Sequence, residues 1–232
     1  MSDLLRDLRW FGHASFSVFL NGKNFLYIDP FQIPETKEKA DVIFITHAHY
    51  DHFSEQDLKR ILKPETVLVG PANLQQDLIS PARFIPVEPQ KTYNIFGIII
   101  ETVPAYNTNP ERLSFHPRSN NWVGFVLNLP AGRLYHAGDT DFVPEMRELK
   151  NIDVSLLPIG GKFTMDVEEA AEAANSIKSK LTIPMHYKMV LKEKAKEAEE
   201  QFSKLVTGET MIMREFAPKP CTDQCDSKKV VE

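Results

Sequence analysis

A cluster of metal-binding side chains constrains this chain more than any other feature of its sequence. Residues 46–52 read Thr-His-Ala-His-Tyr-Asp-His, which places three histidines and one aspartate within six positions. The cluster directly follows the apolar, strand-like run 41–45, and Ser54 is placed to begin a helix after it. We therefore expect the cluster in a loop between a strand and a helix, where a rigid scaffold presents side chains at the edge of a sheet.

The spacing within this cluster favours a metal site over an exposed histidine-rich turn. His47 and His49 are two residues apart in an extended segment, so their side chains point to the same side and can bind one ion. Asp51 and His52 follow the bend and can reach a second ion beside the first. Imidazole and carboxylate ligands without a thiolate admit zinc, manganese or iron, and the sequence does not distinguish between these metals.

Length and composition predict one globular domain, residues 1–216, followed by a polar tail, residues 217–232. The 232 residues are 42% hydrophobic with a formal net charge of −5, so we expect neither disorder nor nucleic acid as the main partner. No apolar run approaches the roughly 20 residues of a membrane span, and the charged start lacks a signal core, so we expect a cytoplasmic protein without a membrane partner. Cys221 and Cys225 in the tail form only a weak metal or redox pattern.

Short apolar segments rich in β-branched and aromatic residues predict strands through the first two thirds of the chain. The predicted strands are Phe16–Leu20, Phe25–Ile28, Val42–Thr46, Thr66–Val69, Ile98–Val103, Trp122–Leu127 and Arg133–Tyr135. The predicted helices run from a Ser54 cap to Leu62, from an Asp166 cap with Glu169 to Ser179, and from Leu191 to Leu205. Asn21-Gly22 between the first two strands favours a tight hairpin.

The H-x-H-x-D-H motif resembles that of the metallo-β-lactamase superfamily. The resemblance implies an α/β (α+β) fold, a four-layer αββα sandwich with one or two metal ions along one edge of its sheets. It also implies a further His, a bridging Asp and a last His, each at the end of a strand. Asp139 follows the strand Arg133–Tyr135 with Gly138 beside it, and His186 follows the apolar segment Leu181–Ile183, so both match.

Two histidines compete for the remaining ligand position. His116 precedes the strand that begins at Trp122, whereas His136 lies three residues before Asp139. We prefer His116 and expect His136 in the core or behind the ligands. By resemblance, two divalent ions (zinc, manganese or iron) are then held by seven ligands: His47, His49 and His116 on one, Asp51, His52 and His186 on the other, and Asp139 bridging them. A hydroxide between the ions is the expected nucleophile, and Asp51 also orients it.

Smaller motifs are similar to those of small metal-dependent hydrolases related to ascorbate-6-phosphate lactonases. These motifs are Trp10–Ser15, Ala105–Asn107, Leu157–Met165 and Ile183–Tyr187. By this resemblance His13 is a candidate catalytic residue near the metals. The alternative is that the His13 ring makes its hydrogen bonds only within its own turn. Tyr106 and Asn107 are candidate substrate contacts, against a packing role. Lys162 is a candidate partner for an anionic substrate group. The alternative is that its side chain is only solvated.

The expected activity is metal-dependent hydrolysis of a lactone, another ester or a phosphodiester in a small molecule, and homo-oligomerisation is left open. One alternative is a nuclease or phosphodiesterase acting on nucleic acid, but the inserted domain of β-CASP nucleases and the arm of ribonuclease Z-like enzymes are not found. The other is a non-catalytic metal-binding protein, which the complete ligand set disfavours. Asp139 at a position where a Cys is expected argues against a common zinc β-lactamase.

Overall fold

Thirteen strands and five α-helices form the part of the chain that this computed structural model describes, residues 3–20, 24–77 and 83–216. The strands are β1 Leu8–Gly12, β2 Ser15–Leu20, β3 Asn24–Ile28, β4 Val42–Phe44, β5 Val67–Pro71, β6 Arg83–Val87, β7 Thr92–Ile95, β8 Ile98–Pro104, β9 Val123–Leu129, β10 Gly132–His136, β11 Val154–Pro158, β12 Leu181–Met185 and β13 Glu209–Thr210. The helices are α1 Asp3–Asp7, α2 Glu55–Ile61, α3 Val167–Ile177, α4 Lys188–Leu191 and α5 Ala195–Leu205.

The strands form two sheets, each ordered along the chain. β1 to β6 make a six-stranded sheet and β7 to β13 a seven-stranded sheet. Each sheet begins with antiparallel hairpins and continues with parallel strands, from β3 in the first sheet and from β10 in the second. The parallel strands β4, β5, β11 and β12 are buried along their whole length, which explains their continuous apolar sequences.

Alternation along β4 shows how four layers arise. Val42 and Phe44 point into the core between the sheets, where the ring of Phe44 lies 5.2 Å from that of Phe125 in the second sheet. Ile43 points to the opposite face and packs in a separate cluster with Ile61 of α2. On the outer face of the second sheet, α3 and α5 pack with their apolar sides inward. The predicted αββα sandwich is confirmed.

Two predicted helix starts have the expected capping bonds. The side chain of Ser54 accepts from the backbone N–H of Asp57, three residues on, and α2 begins at Glu55. Asp166 likewise accepts from the N–H of Glu169 at 2.9 Å, and α3 begins after it.

The third predicted helix, over 191–205, is wrong as one continuous helix. Lys192 has φ +50°, which ends α4, and a 3-10 turn over Lys192–Lys194 separates α4 from α5. Six strands were not among those predicted: β1, β6, β7, β11, β12 and β13. Of these, β6 and β7 carry exposed residues, β11 and β12 contain a proline, and β13 has only two residues. Asn21-Gly22, Cys221 and Cys225 lie outside the described residues.

Within 3–20, 24–77 and 83–216, no helix combines the length and apolarity needed to cross a membrane.

Candidate metal centre

Loops at one edge of the sandwich bring the predicted ligands together. The loop between β4 and α2 supplies His47, His49, Asp51 and His52, because β4 ends at Phe44 and α2 begins only at Glu55. The other predicted ligands each follow or precede a different strand of the second sheet: His116 lies between β8 and β9, Asp139 follows β10 and His186 follows β12. The turn after β1 adds His13 to the same edge.

The first group of ligand atoms comes from three histidines. One nitrogen from each of His47, His49 and His116 lies within 4.8 Å of the other two. Nε2 of His47 and Nδ1 of His49 are 3.0 Å apart. This distance allows the lone pairs of both nitrogens to bind one cation, as predicted from the two-residue separation of His47 and His49.

The second group joins Asp51 to three histidines. Ligand atoms of His13, Asp51, His52 and His186 all lie within 4.8 Å of one another. Nε2 of His13 donates to Oδ2 of Asp51 at 2.9 Å, and the ring of His13 lies 3.7 Å from that of His186. His13 is therefore in contact with the predicted site instead of being satisfied within its own turn.

Asp139 lies between the two groups. Its Oδ2 is 3.0 Å from Nε2 of His186 and 3.4 Å from Nε2 of His116, and its Oδ1 is 3.3 Å from Nε2 of His52. One carboxylate thus faces ligands of both groups, as expected of a bridge.

Unpaired polar atoms test whether this arrangement fits metal ions. Nε2 of His52, His116 and His186 and Oδ1 of Asp139 are buried without a hydrogen-bond partner among the described residues. Buried polar groups in proteins are normally paired, and leaving several unpaired at one point is costly. Cations held by the two groups would satisfy all four atoms, so the residues fit a metal site with imidazole and carboxylate ligands.

Comparison with known proteins agrees with this geometry. A family model described as the beta-lactamase superfamily domain matches residues 7–186. The chain belongs to the metallo-β-lactamase superfamily. A UPF0173 metal-dependent hydrolase from Thermoplasma volcanium is 36% identical over 191 residues, which are 77% of this chain and 82% of the relative.

Two solved structures of the superfamily resemble the whole sandwich. A protein from Parabacteroides distasonis, described as a metal-dependent hydrolase, is 30% identical with a TM-score of 0.77 over 90% of this chain and 93% of its own. Igni18, a metallo hydrolase from Ignicoccus hospitalis, is 25% identical with a TM-score of 0.70 over 89% of this chain and 94% of its own. None of these three relatives bears the name of an ascorbate-6-phosphate lactonase, so that finer resemblance stays a prediction.

In this metallo-β-lactamase fold, a buried aspartate that was not predicted orients two of the histidines. Oδ2 of Asp29 accepts from Nδ1 of His52 at 2.7 Å and from the hydroxyl of Thr46 at 2.6 Å. Because the Thr46 proton points to Asp29, the hydroxyl oxygen accepts from Nδ1 of His47 at 2.9 Å. Both histidines therefore carry a proton on Nδ1, so Nε2 is the nitrogen that each ring can offer to a metal, in His52 after loss of its second proton. The signal for Asp29 was its place directly after the predicted strand Phe25–Ile28.

Charges inside the site favour ionised carboxylates. Burial opposes ionisation of Asp139, but the imidazoles of His186 and His52 outweigh it and hold the pKa of Asp139 well below its usual range. Burial also opposes ionisation of Asp51, but the hydrogen bond from His13 and the charge of His52 lower its pKa to about 2.

The pKa values of the site histidines shift in different directions, depending on the neighbouring side chains. Burial lowers the pKa of His47 well below its usual value, and it also lowers the pKa values of His13 and His49. Burial acts on His52 in the same sense, but the carboxylates of Asp139 and Asp29 dominate and raise its pKa well above the usual value. Burial therefore favours the neutral rings of His13, His47 and His49, whereas the neighbouring carboxylates favour the protonated ring of His52 in the metal-free site.

The histidine that we did not choose lies behind the site. His136 is fully buried, its Nε2 donates to the carbonyl oxygen of Ala14 at 2.8 Å, and its Nδ1 accepts from the N–H of Gly138 at 3.2 Å. Both ring nitrogens are occupied by the backbone. His136 therefore has no nitrogen left for a metal.

The three predicted substrate contacts differ in position. Asn107 is buried beneath His116, and its amide bonds only to groups inside the protein, which favours the alternative packing role over a substrate contact. Tyr106 lines a cleft of about 320 Å³ together with Trp122 and Arg118, and its hydroxyl donates to Glu145 at 3.1 Å. Lys162 is exposed, with its ammonium group 4.9 Å from the centre of the Phe163 ring.

Trp122 connects that cleft to the ligands. Predicted only as the start of a strand, it packs its ring 4.9 Å from His47 and 5.0 Å from His49, and it also lines the cleft. An aromatic residue before a strand carries no sequence signal for this contact, which depends on the fold of two distant loops.

Proposed function

We propose that this protein is a metal-dependent hydrolase that cleaves a lactone, another ester or a phosphodiester in a small molecule. The observation that carries the proposal is the convergence of seven candidate ligands in two groups that share Asp139, with several ligand atoms buried and unpaired. The names of the relatives from Thermoplasma volcanium and Ignicoccus hospitalis support hydrolysis.

Each proposed ligand has a role defined by its contacts. His47, His49 and His116 would hold one divalent ion, Asp51, His52 and His186 would hold the other, and Asp139 would be shared between them. Bound divalent ions of this kind polarise a scissile carbonyl or phosphoryl oxygen and lower the pKa of water. Zinc, manganese and iron all suit this ligand set.

Asp51 and His13 are proposed to act on the attacking water. The pKa of about 2 keeps Asp51 ionised at neutral pH, so it remains a hydrogen-bond acceptor that orients the water for attack. The Nε2–H of His13 holds one oxygen of that carboxylate at 2.9 Å and leaves the other oxygen for the water. His13 itself is held by two bonds to its carbonyl oxygen, from Trp10 Nε1 and from the N–H of His186.

Size and charge favour a small substrate over nucleic acid. The cleft beside Trp122, proposed here as the substrate subsite, has a volume of about 320 Å³, which suits part of a small molecule. Among the described residues that line it, the one cation is Arg118, which is paired with Glu145 at 3.2 Å, and Glu88 also lines it. A nucleic-acid site needs several unpaired cations along the phosphate backbone.

A hydrolysis screen tests the proposal. Metal-loaded protein is assayed with a phosphodiester reporter, a lactone panel, a β-lactam and a single-stranded oligonucleotide. We expect turnover of an ester-type or phosphodiester reporter that is lost on chelation and restored by metal. His47→Ala and Asp139→Ala should abolish this turnover, while His136→Ala, a control behind the site, should retain most of it.

Two results would contradict the proposal. Turnover that survives in His47→Ala and Asp139→Ala would place the chemistry elsewhere. Cleavage of the oligonucleotide alone would replace the small-molecule substrate with nucleic acid.

A further inference from the structure

Three buried side chains and one partly buried side chain outside the ligand set form a continuous cluster that ends on a ligand. This cluster, called here the Asp141 cluster, consists of Asn107, Arg112, Asp141 and Glu169. Asn107, Arg112 and Asp141 are 2%, 6% and 0% exposed. None of the four touches Asp139, so the site described above does not account for them.

The cluster meets the ligands at His116. Oδ1 of Asn107 accepts from the backbone N–H of His116 at 3.1 Å and from its Nδ1 at 2.9 Å. A ring nitrogen that donates to an amide oxygen carries the proton. Nε2 of His116, which faces Asp139 at 3.4 Å, is then left with its lone pair for a metal.

This result depends on the orientation of the Asn107 amide, and Asp141 fixes that orientation. Nδ2 of Asn107 donates to Oδ1 of Asp141 at 2.9 Å and to the carbonyl oxygen of Phe163 at 3.0 Å. The reversed amide would place its oxygen against these two acceptors and its NH2 group against the N–H of His116. Asp141 therefore acts on the protonation of His116 through one intervening amide.

The remaining members hold Asp141 in place. Oδ2 of Asp141 accepts from the N–H groups of Thr108 and Asn109 at 2.7 and 2.8 Å. Nε of Arg112 lies 3.1 Å from Oδ1 of Asp141, and Nη2 of Arg112 donates to Glu169 at 2.7 Å. A buried carboxylate needs such a partner because an unpaired buried charge is expensive.

Glu169 links this cluster to α3. Its Oε1 accepts from the N–H of Phe142 at 2.9 Å, in the loop that follows Asp139. Helix α3 and the loops that carry Asp139 and His116 are thus held together by side chains that face away from the metals.

We infer that Asp141 is a positioning residue that sets, through Asn107, which nitrogen of His116 is offered to the metal, and that Arg112 and Glu169 hold Asp141 for this role. The inference rests on the proposed function, since it assigns His116 to a metal. Neither Asp141 nor Asn107 touches the metal or the substrate in this account.

The test compares Asp141→Asn, Asn107→Asp and the double variant by zinc competition titration and by 15N NMR of the histidine rings in metal-free protein. In Asp141→Asn, an NH2 group faces the NH2 group of Asn107, so we expect loss of the Nδ1–H form of His116 and zinc binding weaker by about 10–100-fold. In the double variant, Asn at 141 donates to one oxygen of Asp at 107, and the other oxygen still accepts from His116. Recovery is partial, because the first oxygen also faces the carbonyl oxygen of Phe163. We expect that variant to regain roughly tenfold in zinc affinity over either single variant.

A purely structural role would not give this pattern. The inference is overturned if Asp141→Asn keeps both the Nδ1–H form of His116 and wild-type zinc affinity, or if the double variant binds zinc no better than the single variants. If Asp141→Asn does not fold, Glu169→Gln serves instead, with an expected loss of roughly threefold in zinc affinity. Glu172→Gln, on an exposed position of the same helix, is the control and should bind zinc like wild type, and equal affinities of Glu169→Gln and Glu172→Gln would overturn the inference.

Failure of the proposed function gives a different result. Wild-type protein that binds no zinc would remove the metal site itself. If wild-type protein binds zinc and the variants bind it with wild-type affinity, only the role of the Asp141 cluster is removed.

Discussion

Replacement of Asp29 by Asn is the substitution whose effects the geometry predicts most fully. Asp29 is completely buried and accepts from the Thr46 N–H at 2.8 Å, the Thr46 hydroxyl at 2.6 Å and Nδ1 of His52 at 2.7 Å. Asn at this position keeps the size of the side chain. Its oxygen still accepts from the Thr46 N–H, but its NH2 group then faces both the hydroxyl and His52.

The size of the effect follows from the groups left unpaired. The Thr46 hydroxyl can rotate to accept, whereas Nδ1–H of His52 has no acceptor unless that nitrogen loses its proton and the ring keeps its remaining proton on Nε2. One buried donor without an acceptor costs about 1–3 kcal/mol in the free energy of unfolding, and each kcal/mol lowers the Tm of a chain of this size by about 2–4 °C. A proton on Nε2 of His52 also blocks its ligand position, so zinc binding should weaken by about 10–100-fold.

Urea unfolding of metal-free protein and zinc competition titration measure these two effects separately. Asp41→Asn is the control, because Asp41 is a partly exposed carboxylate paired with Lys63 at the other end of β4 from the ligands, and Asn can still accept from the N–H of Phe25. We expect it to change the free energy of unfolding by less than about 1 kcal/mol and to leave zinc affinity unchanged. Wild-type zinc affinity in Asp29→Asn would refute the argument that Asp29 sets the protonation of His52.

Three further predictions concern other parts of the structure. His136→Ala should lower the free energy of unfolding by at least about 2 kcal/mol, because it removes a buried ring and the donor to Ala14, while zinc affinity in a titration stays unchanged; weakened zinc binding would place His136 among the ligands. Zinc binding at pH 7 should release ~1 proton from His52, since its raised pKa keeps the ring protonated below that pKa and coordination needs a neutral nitrogen. Calorimetry in two buffers of different ionisation enthalpy measures this release, and equal heats in both buffers would contradict it. Gly124→Ala should lower Tm strongly, because its Cβ would lie 2.6 Å from the carbonyl oxygen of Ala137, and an unchanged Tm would show that the strands can separate there.

Local patterns were sufficient to predict much of the scaffold. The apolar runs of β2 to β5, β8, β9 and β10 are strand-like on their own, and Ser54 and Asp166 carry the chemistry of a helix cap. The 191–205 segment shows the limit of such patterns, because helical composition does not reveal the left-handed residue Lys192 that interrupts it.

The candidate site could likewise be predicted only in part from the sequence. The spacing of His47, His49, Asp51 and His52 is local and visible in the sequence, and the other ligands follow from the resemblance. The residues that orient the ligands were not found, because their contacts are distant along the chain. Asp29 reaches His52 across 23 positions, and Asn107 reaches Asp141 across 34. Asn107 itself was assigned to the substrate because its partners are invisible without the fold.

Metal analysis measures whether the predicted ligands bind two ions. Wild-type protein and Asp139→Ala are purified without added metal, resupplied with zinc, manganese or iron, and analysed by elemental mass spectrometry, with circular dichroism to show that both are folded. The account predicts about two equivalents of metal on the wild type and a clear loss in the folded variant, because Asp139 faces ligands of both groups. Folded wild-type protein that binds no metal after resupply, or a variant that binds as much as the wild type, would contradict it.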